Sequence, residues 1–265
     1  MSGIISVSLG IYFLANPGIS ISILPFVVGF SLLFCSSCLF DTIQRSNVYK
    51  DELISTLAHE LKTPLTSLKA CLELAFSVPS KKDELLVKAK RSSDKLAKIL
   101  EDLLDVAQIQ TGRLEIHCER VNVHEFVTNA IEVVQQAYPS HAITYMPSFP
   151  IWVEADVLRM EQVMMNLLTN AVKYSPHQNK VVVEIYIVRK CVEIGVTDFG
   201  LGIPDADKGK IWTRFYRVAS HKLCIKGLGV GLHLCRQLIL AHGGSIRVES
   251  QEGKGSTFYV RLPMA

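Results

Sequence analysis

Charge is missing from the first 40 residues: all 28 Lys+Arg and 25 Asp+Glu of the 265-residue chain lie beyond them. The remaining 225 residues carry those 53 charges, about 24%, the usual share of a soluble globular protein. The positive mean hydropathy of +0.26 therefore comes largely from one end. A surplus of positive charge is also lacking. A balance of +3 on 53 charges argues against direct nucleic-acid binding, which calls for a concentrated basic face. Cysteine is sparse, with seven residues in an odd and scattered set. That excludes a dense secreted disulfide framework and fits a reducing cytosol. Cys35 and Cys38 have CxxC spacing, but they sit in an apolar run with no second pair.

What the uncharged end does contain is Ile19–Phe40, 22 residues rich in Ile, Leu, Val and Phe. A helix needs about 20 residues to cross a hydrocarbon core of about 30 Å. Arg45 and Lys50 follow at once, so the positive-inside rule puts the C-terminal body in the cytoplasm. A secretory signal would begin with a basic segment, and Met1–Ala15 offers none. Ile4–Ala15 is a second apolar stretch, ended by the turn signal Asn16-Pro17-Gly18. The expectation is a membrane region over 1–40 with one or two passages and no extracellular domain. A linker helix over 41–52 follows, with no Pro or Gly to break it.

From Ile54 the apolar positions Leu57, Leu61, Leu65, Leu68 and Leu72 recur at gaps of three and four, the period of an amphipathic helix. Pro79 and Ser80 mark a turn, with Ser80 a candidate N-cap. A second helix carries Leu85, Ala89, Ser92, Leu96, Ile99, Leu103 and Val106 on one stripe. Two such helices cannot enclose a core alone, so a dimeric four-helix bundle is expected over 53–111. His59 faces away from the apolar stripe, Thr63 shares its face one turn on, and Pro64 leaves the carbonyl of Glu60 without its helical N–H. By itself a surface histidine is usually just solvated.

The string His59-Glu60-Leu61-Lys62-Thr63-Pro64 resembles the phosphoacceptor box, H-E-x-x-T-P, of bacterial two-component sensor histidine kinases. The resemblance implies that His59 accepts a phosphoryl group, that Glu60 orients the imidazole and takes its proton, and that Thr63 positions water for dephosphorylation of the partner. A neutral imidazole is a competent nucleophile near cytosolic pH, and a carboxylate on its other nitrogen would fix the tautomer.

Residues 112–265 read as consecutive strands with several helices. Strands are expected at Leu114–His117, Ile143–Met146, Ile151–Glu154, Val181–Val188, Val192–Thr197, Ser245–Glu249 and Thr257–Leu262. Helices are expected at Val123–Ala137, Asp156–Tyr174 and Val230–Ala241. The fold class is α+β, with a mixed sheet covered on one face as an α/β sandwich. On the second of these helices Asn166, Asn170 and Lys173 share a polar strip opposite Met164, Leu167, Leu168 and Ala171. Two amides and an ammonium on one strip can hold a hydrated divalent ion and phosphates; a plain polar face is the alternative. The strip is similar to the N box of the same kinases. The likeness implies Asn170 on Mg²⁺, Asn166 near the phosphates, Lys173 on a phosphate and Tyr174 beside the nucleotide.

Asp198-Phe199-Gly200-Leu201-Gly202 resembles the first glycine box, whose carboxylate takes the adenine amino group in these kinases. Gly227-Leu228-Gly229-Val230-Gly231 resembles the second, opening a helix whose free N–H groups suit phosphate. Between them, Trp212-Thr213-Arg214-Phe215-Tyr216-Arg217 resembles the F box of the ATP lid, with Trp212 in place of the usual Phe. Arg217 would then meet the γ-phosphate. Lys226 is a further phosphate candidate from its charge and place, and His221, Lys222 and Lys226 are otherwise a solvated loop. The resemblance covers about Ser55–Pro263.

Together these imply a homodimeric sensor histidine kinase in the cytoplasmic membrane. It would use ATP and Mg²⁺, phosphorylate His59, pass the phosphoryl group to an aspartate of a response regulator, and also act as its phosphatase. The alternatives are a non-catalytic membrane-anchored ATP-binding adaptor and a free-standing ATPase of the chaperone type.

Overall fold

The computed structural model describes residues 54–147, 149–176, 178–221, 225 and 227–265. The expected membrane region over 1–40, the linker over 41–52 and Lys226 lie outside them. No described helix is long and apolar enough to cross a membrane. From His59 to Ala265 the chain forms one compact unit.

Helix α1 covers 54–77 and runs on through Pro64. The Thr63 hydroxyl donates to the carbonyl of His59 at 3.0 Å, one turn back. A 3₁₀ turn, Pro79–Lys81, leads into α2, Lys82–Gln110. Lys81, not Ser80, occupies the N-cap of α2, without a side-chain bond, because the 3₁₀ turn moves the helix start one residue on. The stripe on α2 behaves as its spacing requires: Ala89, Ile99 and Val106 are buried, and Leu85, Ser92, Leu96 and Leu103 are half-buried. Ser92 meets Ser67 of α1 through their hydroxyls at 3.2 Å.

The α/β part runs β1 (Glu119–Asn122), α3 (Val123–Ala137), β2 (Ala142–Tyr145), β3 (Trp152–Ala155), α4 (Val157–Lys173), β4 (Lys180–Val188), β5 (Cys191–Asp198), α5 (Gly231–Ala241), β6 (Ser245–Gln251) and β7 (Gly255–Pro263). Asn122 caps α3 by accepting from the His124 N–H, and Asp156 caps α4 by accepting from the Arg159 N–H, both at 3.1 Å. Five strands form a mixed sheet in the order β2-β4-β5-β7-β6, parallel only between β2 and β4. β1 and β3 pair separately, in antiparallel register from Glu119↔Ala155 to Asn122↔Trp152.

The strand expected at Leu114–His117 is absent. That segment finds no neighbouring strand; it is fixed instead by its side chains Leu114 and Ile116 against the core and by the His117 N–H donating to Asp156 at 3.1 Å. The pairing begins two residues later.

The core lies between one sheet face and the three helices. Phe126 and Val127 of α3, Met164, Leu167 and Leu168 of α4, and Leu234, Leu238 and Ile239 of α5 meet Val181, Ile194, Val196 and Val260 there. Each such side chain contributes about 1.5–3 kcal/mol relative to exposure. This packing leaves the polar strip of α4 and the N-terminus of α5 at one end of the sheet, where β5 also ends.

Candidate functional site

At that end lies a cavity of about 690 Å³, within the range of nucleotide-sized pockets. Its inner wall contains Asp198, the last residue of β5, which is 4% exposed. Asp198 Oδ1 accepts from the Gly200 N–H at 2.9 Å and from the Ser175 hydroxyl at 3.5 Å. Burial raises its pKa, and hydrogen bonds from Gly200, Ser256 and Ser175 offset this only in part. Gly200 is required by contact with backbone: a Cβ there would sit 1.9 Å from the Tyr174 carbonyl oxygen. That same oxygen accepts from the Leu201 N–H at 3.0 Å, which ties the loop to the end of α4.

Another part of the lining is polar and cationic. Asn166, Asn170 and Lys173 of α4 line it together with Gly227, Gly229 and Gly231 at the start of α5. The Asn166 Nδ2 is buried and has no hydrogen-bond partner among the described residues. A Cβ on Gly231 would meet Asn166 Oδ1 at 2.9 Å. Gly229 has φ +71, and its carbonyl accepts from the Phe215 N–H at 2.8 Å, joining the lid to the helix start. Lys173 is exposed, yet partial desolvation, and then the charge of Lys95, lower its pKa.

The lid crosses 211–221. Trp212 packs edge-on to Phe258 of β7, with centroids 6.1 Å apart, and its carbonyl meets His233 Nδ1 at 3.0 Å. Trp212 thus anchors the lid on the sheet and the N-terminal turn of α5. Phe215 has φ +63, a strained conformation for an aromatic residue. Arg217 lines the cavity, and its guanidinium bonds the Ile225 carbonyl. His221 is buried, lines the cavity and stacks at a tilt on Tyr174, with centroids 5.6 Å apart. Its burial lowers its pKa, so it is neutral at pH 7.

A third wall comes from the helical hairpin: Glu60 of α1 and Lys95, Lys98, Ile99 and Asp102 of α2. Asp105, buried on α2, holds the hairpin against the α/β part. It accepts from Arg159 Nη1 at 2.8 Å and from Gln162 Nε2 at 2.7 Å, both on α4.

The cavity therefore gathers Glu60, Asn166, Asn170, Lys173, Tyr174 and Asp198, along with Gly202, Arg217, Gly227, Gly229 and Gly231. Gly200 stands just behind Asp198. His59 and Thr63 do not line it; both are exposed on α1. Lys226 is outside the described residues. Nothing in the spacing of Lys95, Lys98 and Asp102 distinguishes them from a solvated helix face. His221 belongs to a segment whose sequence also suits a solvated loop; its ring contact with Tyr174 depends on how the segment 211–221 folds back.

Two family models match the chain. The His Kinase A (phospho-acceptor) domain covers residues 49–112, and the histidine kinase-, DNA gyrase B-, and HSP90-like ATPase covers residues 155–265. The chain belongs to the two-component sensor histidine kinases. Among curated sensor kinases it is 30% identical over 236 residues to the sensor histidine kinase WalK of Bacillus subtilis, covering 85% of this chain and 39% of that protein. It is 30% identical over 231 residues to the circadian input-output histidine kinase CikA of Synechococcus elongatus, covering 83% of this chain and 31% of that one. The chain thus spans less than half the length of either relative. Among solved histidine kinases, the mycobacterial sensor MprB superposes with a TM-score of 0.51 at 27% identity, covering 56% of this chain and 98% of that structure.

Proposed function

We propose that this histidine kinase binds Mg·ATP in the cavity and transfers the γ-phosphoryl group to His59, from which an aspartate of a cytoplasmic response regulator receives it. The supporting observation is a single cavity lined by a buried carboxylate, by amides, a lysine and the glycines at the start of α5, and by residues of the phosphoacceptor hairpin. The residues fit a nucleotide. The orphaned Asn166 Nδ2 wants an acceptor, and a Cβ on Gly231 would press on that same amide, so the bare helix start keeps it in place. In this reading Asp198 accepts from the adenine amine, Tyr174 flanks the base, and Asn166, Lys173, Arg217 and the glycine turn hold the phosphates. Asn170 would supply the protein oxygen for Mg²⁺, which neutralises phosphate charge when bound.

His59 would form the new N–P bond as the bond to ADP breaks, with Glu60 receiving the imidazole proton. The arrangement described presents Glu60 to the cavity and His59 beside it, about 100° around the helix. Exchanging them takes a turn of about 100° between α1 and the α/β domain, and such a repositioning would act as a switch because positioning dominates phosphoryl transfer. Thr63, exposed one turn beyond His59, would position the water that hydrolyses the regulator's aspartyl phosphate, releasing inorganic phosphate.

The hairpin leaves Leu65 57%, Phe76 88%, Leu100 53% and Leu104 63% exposed. Covering them with a second hairpin would complete a four-helix bundle, so the homodimer fits this surface. The apolar run over 1–40 supports anchoring in the cytoplasmic membrane, with a linker over 41–52, the phosphotransfer domain over 53–111 and the catalytic domain over 112–265.

The test is phosphoryl transfer to a receiver domain. The full chain preincubated with Mg·ATP should label the receiver on addition, and His59→Gln should abolish this while retaining ATP binding. Equal receiver labelling by His59→Gln would reject His59 as the donor. ATP binding with no labelling by the parent chain would favour the adaptor.

A further inference from the structure

We propose that Lys95, on the second helix of the hairpin, is a ligand of the nucleotide's phosphate chain, so that bound nucleotide clamps the hairpin to the α/β domain. This rests on the reading of the cavity as an ATP site.

A lysine on an exposed helix face is ordinarily solvated, and three observations set Lys95 apart. It lines the same cavity as Asn166, Lys173 and Arg217, although it comes from the other domain. Lys98, one turn away, is held by Asp102 at 3.0 Å, whereas Lys95 makes no ion pair among the described residues. Its charge also reaches Lys173 strongly enough to be the second cause, after burial, of that lysine's lowered pKa. Two like-charged ammonium groups facing one cavity disfavour each other. Glu60 and Asp102 offset the repulsion at Lys173, and the Asn166 Nδ2 lining the same cavity lacks an acceptor among the described residues. A polyanion between these groups would relieve the repulsion and satisfy the amide at once. Adenosine, having no phosphates, would gain nothing from Lys95.

The consequence is a coupling between occupancy and docking. Asp105 with Arg159 and Gln162 already joins α2 to α4. Lys95 would add a contact that exists only when phosphates are present. By linkage, whatever moves α2 away from the cavity must then weaken nucleotide binding by the same factor.

Calorimetric titration of the full chain with Mg·ATP, Mg·ADP and adenosine tests this. Lys95→Glu should weaken Mg·ATP binding by about tenfold or more, the size of a lost charge-assisted hydrogen bond. It should leave adenosine affinity within about twofold, and Lys95→Arg should stay close to wild type. Lys90→Glu, on the same helix but off the cavity, controls for general helix charge and should change neither. Unchanged Mg·ATP affinity in Lys95→Glu, or equal losses for ATP and adenosine, would overturn the proposal while the nucleotide site stands. A wild-type chain that binds no ATP would reject the site itself, and the proposal with it.

Discussion

Asp198→Asn should weaken ATP binding by about ten- to a hundredfold while leaving the melting temperature unchanged or slightly higher. The carboxylate accepts from the Gly200 N–H at 2.9 Å and from Ser175 and Ser256, and in the proposed pose its remaining acceptor capacity takes the adenine amine. An asparagine has a single acceptor oxygen, so either Gly200 or the adenine amine loses its partner and an amide N–H₂ is turned on a donor. Losing a hydrogen bond to a buried charge costs about 1.5–3 kcal/mol. Stability runs the other way. Burial raises the Asp198 pKa above its unfolded value, so the folded state binds its proton more tightly than the unfolded state does. The stability this provides is full below the unfolded value and is lost as pH rises through the folded one. At pH 7 the ionised carboxylate is therefore a net cost that Asn removes. ATP affinity of the parent should in turn fall on acidification at a pH above that of an ordinary aspartate. Calorimetry and thermal melts of the two proteins check all three statements.

Gly200→Ala should abolish nucleotide binding and lower the melting temperature by several degrees. The added methyl carbon would lie 1.9 Å from the Tyr174 oxygen, 2.6 Å from its carbonyl carbon and 2.8 Å from Ser175 Cα. All three are backbone atoms that cannot rotate away. The loop has to lift, which breaks the Leu201–Tyr174 bond and carries Asp198 out of register with Ser256. Overpacking of this kind costs about 1–3 kcal/mol. Gly209→Ala is the matched control, since nothing lies within 4 Å of its Cβ position. It should melt within about a degree of the parent. Equal behaviour of the two alanine variants would contradict the packing described for the first glycine box.

Much of this architecture is written in local pattern. The three α/β helices and six of the seven strands fall within two or three residues of where periodicity and turn residues put them. Asn122 and Asp156 cap helices for the reason their side chains suggest. What pattern could not supply is tertiary. The segment 114–117 is apolar enough for a strand, but its partner edge is taken by 119–122. Ser80 has the chemistry of a cap, yet the 3₁₀ turn shifts the helix start to Lys82. The polar strip of α4 and both glycine boxes were legible because each is a short run with its own chemistry. The α2 wall of the cavity was not, because Lys95, Lys98 and Asp102 acquire meaning only once α2 is docked on α4 through Asp105.

The most direct test of the account is to incubate the full chain with γ-labelled and, separately, α-labelled Mg·ATP, alongside His59→Gln and Asn170→Asp. The account predicts protein-bound label only from the γ position. That label should be acid-labile and alkali-stable, and absent from both variants. Steady phosphate release with no label on the chain, unaffected by His59→Gln, would contradict it and identify a free-standing ATPase instead.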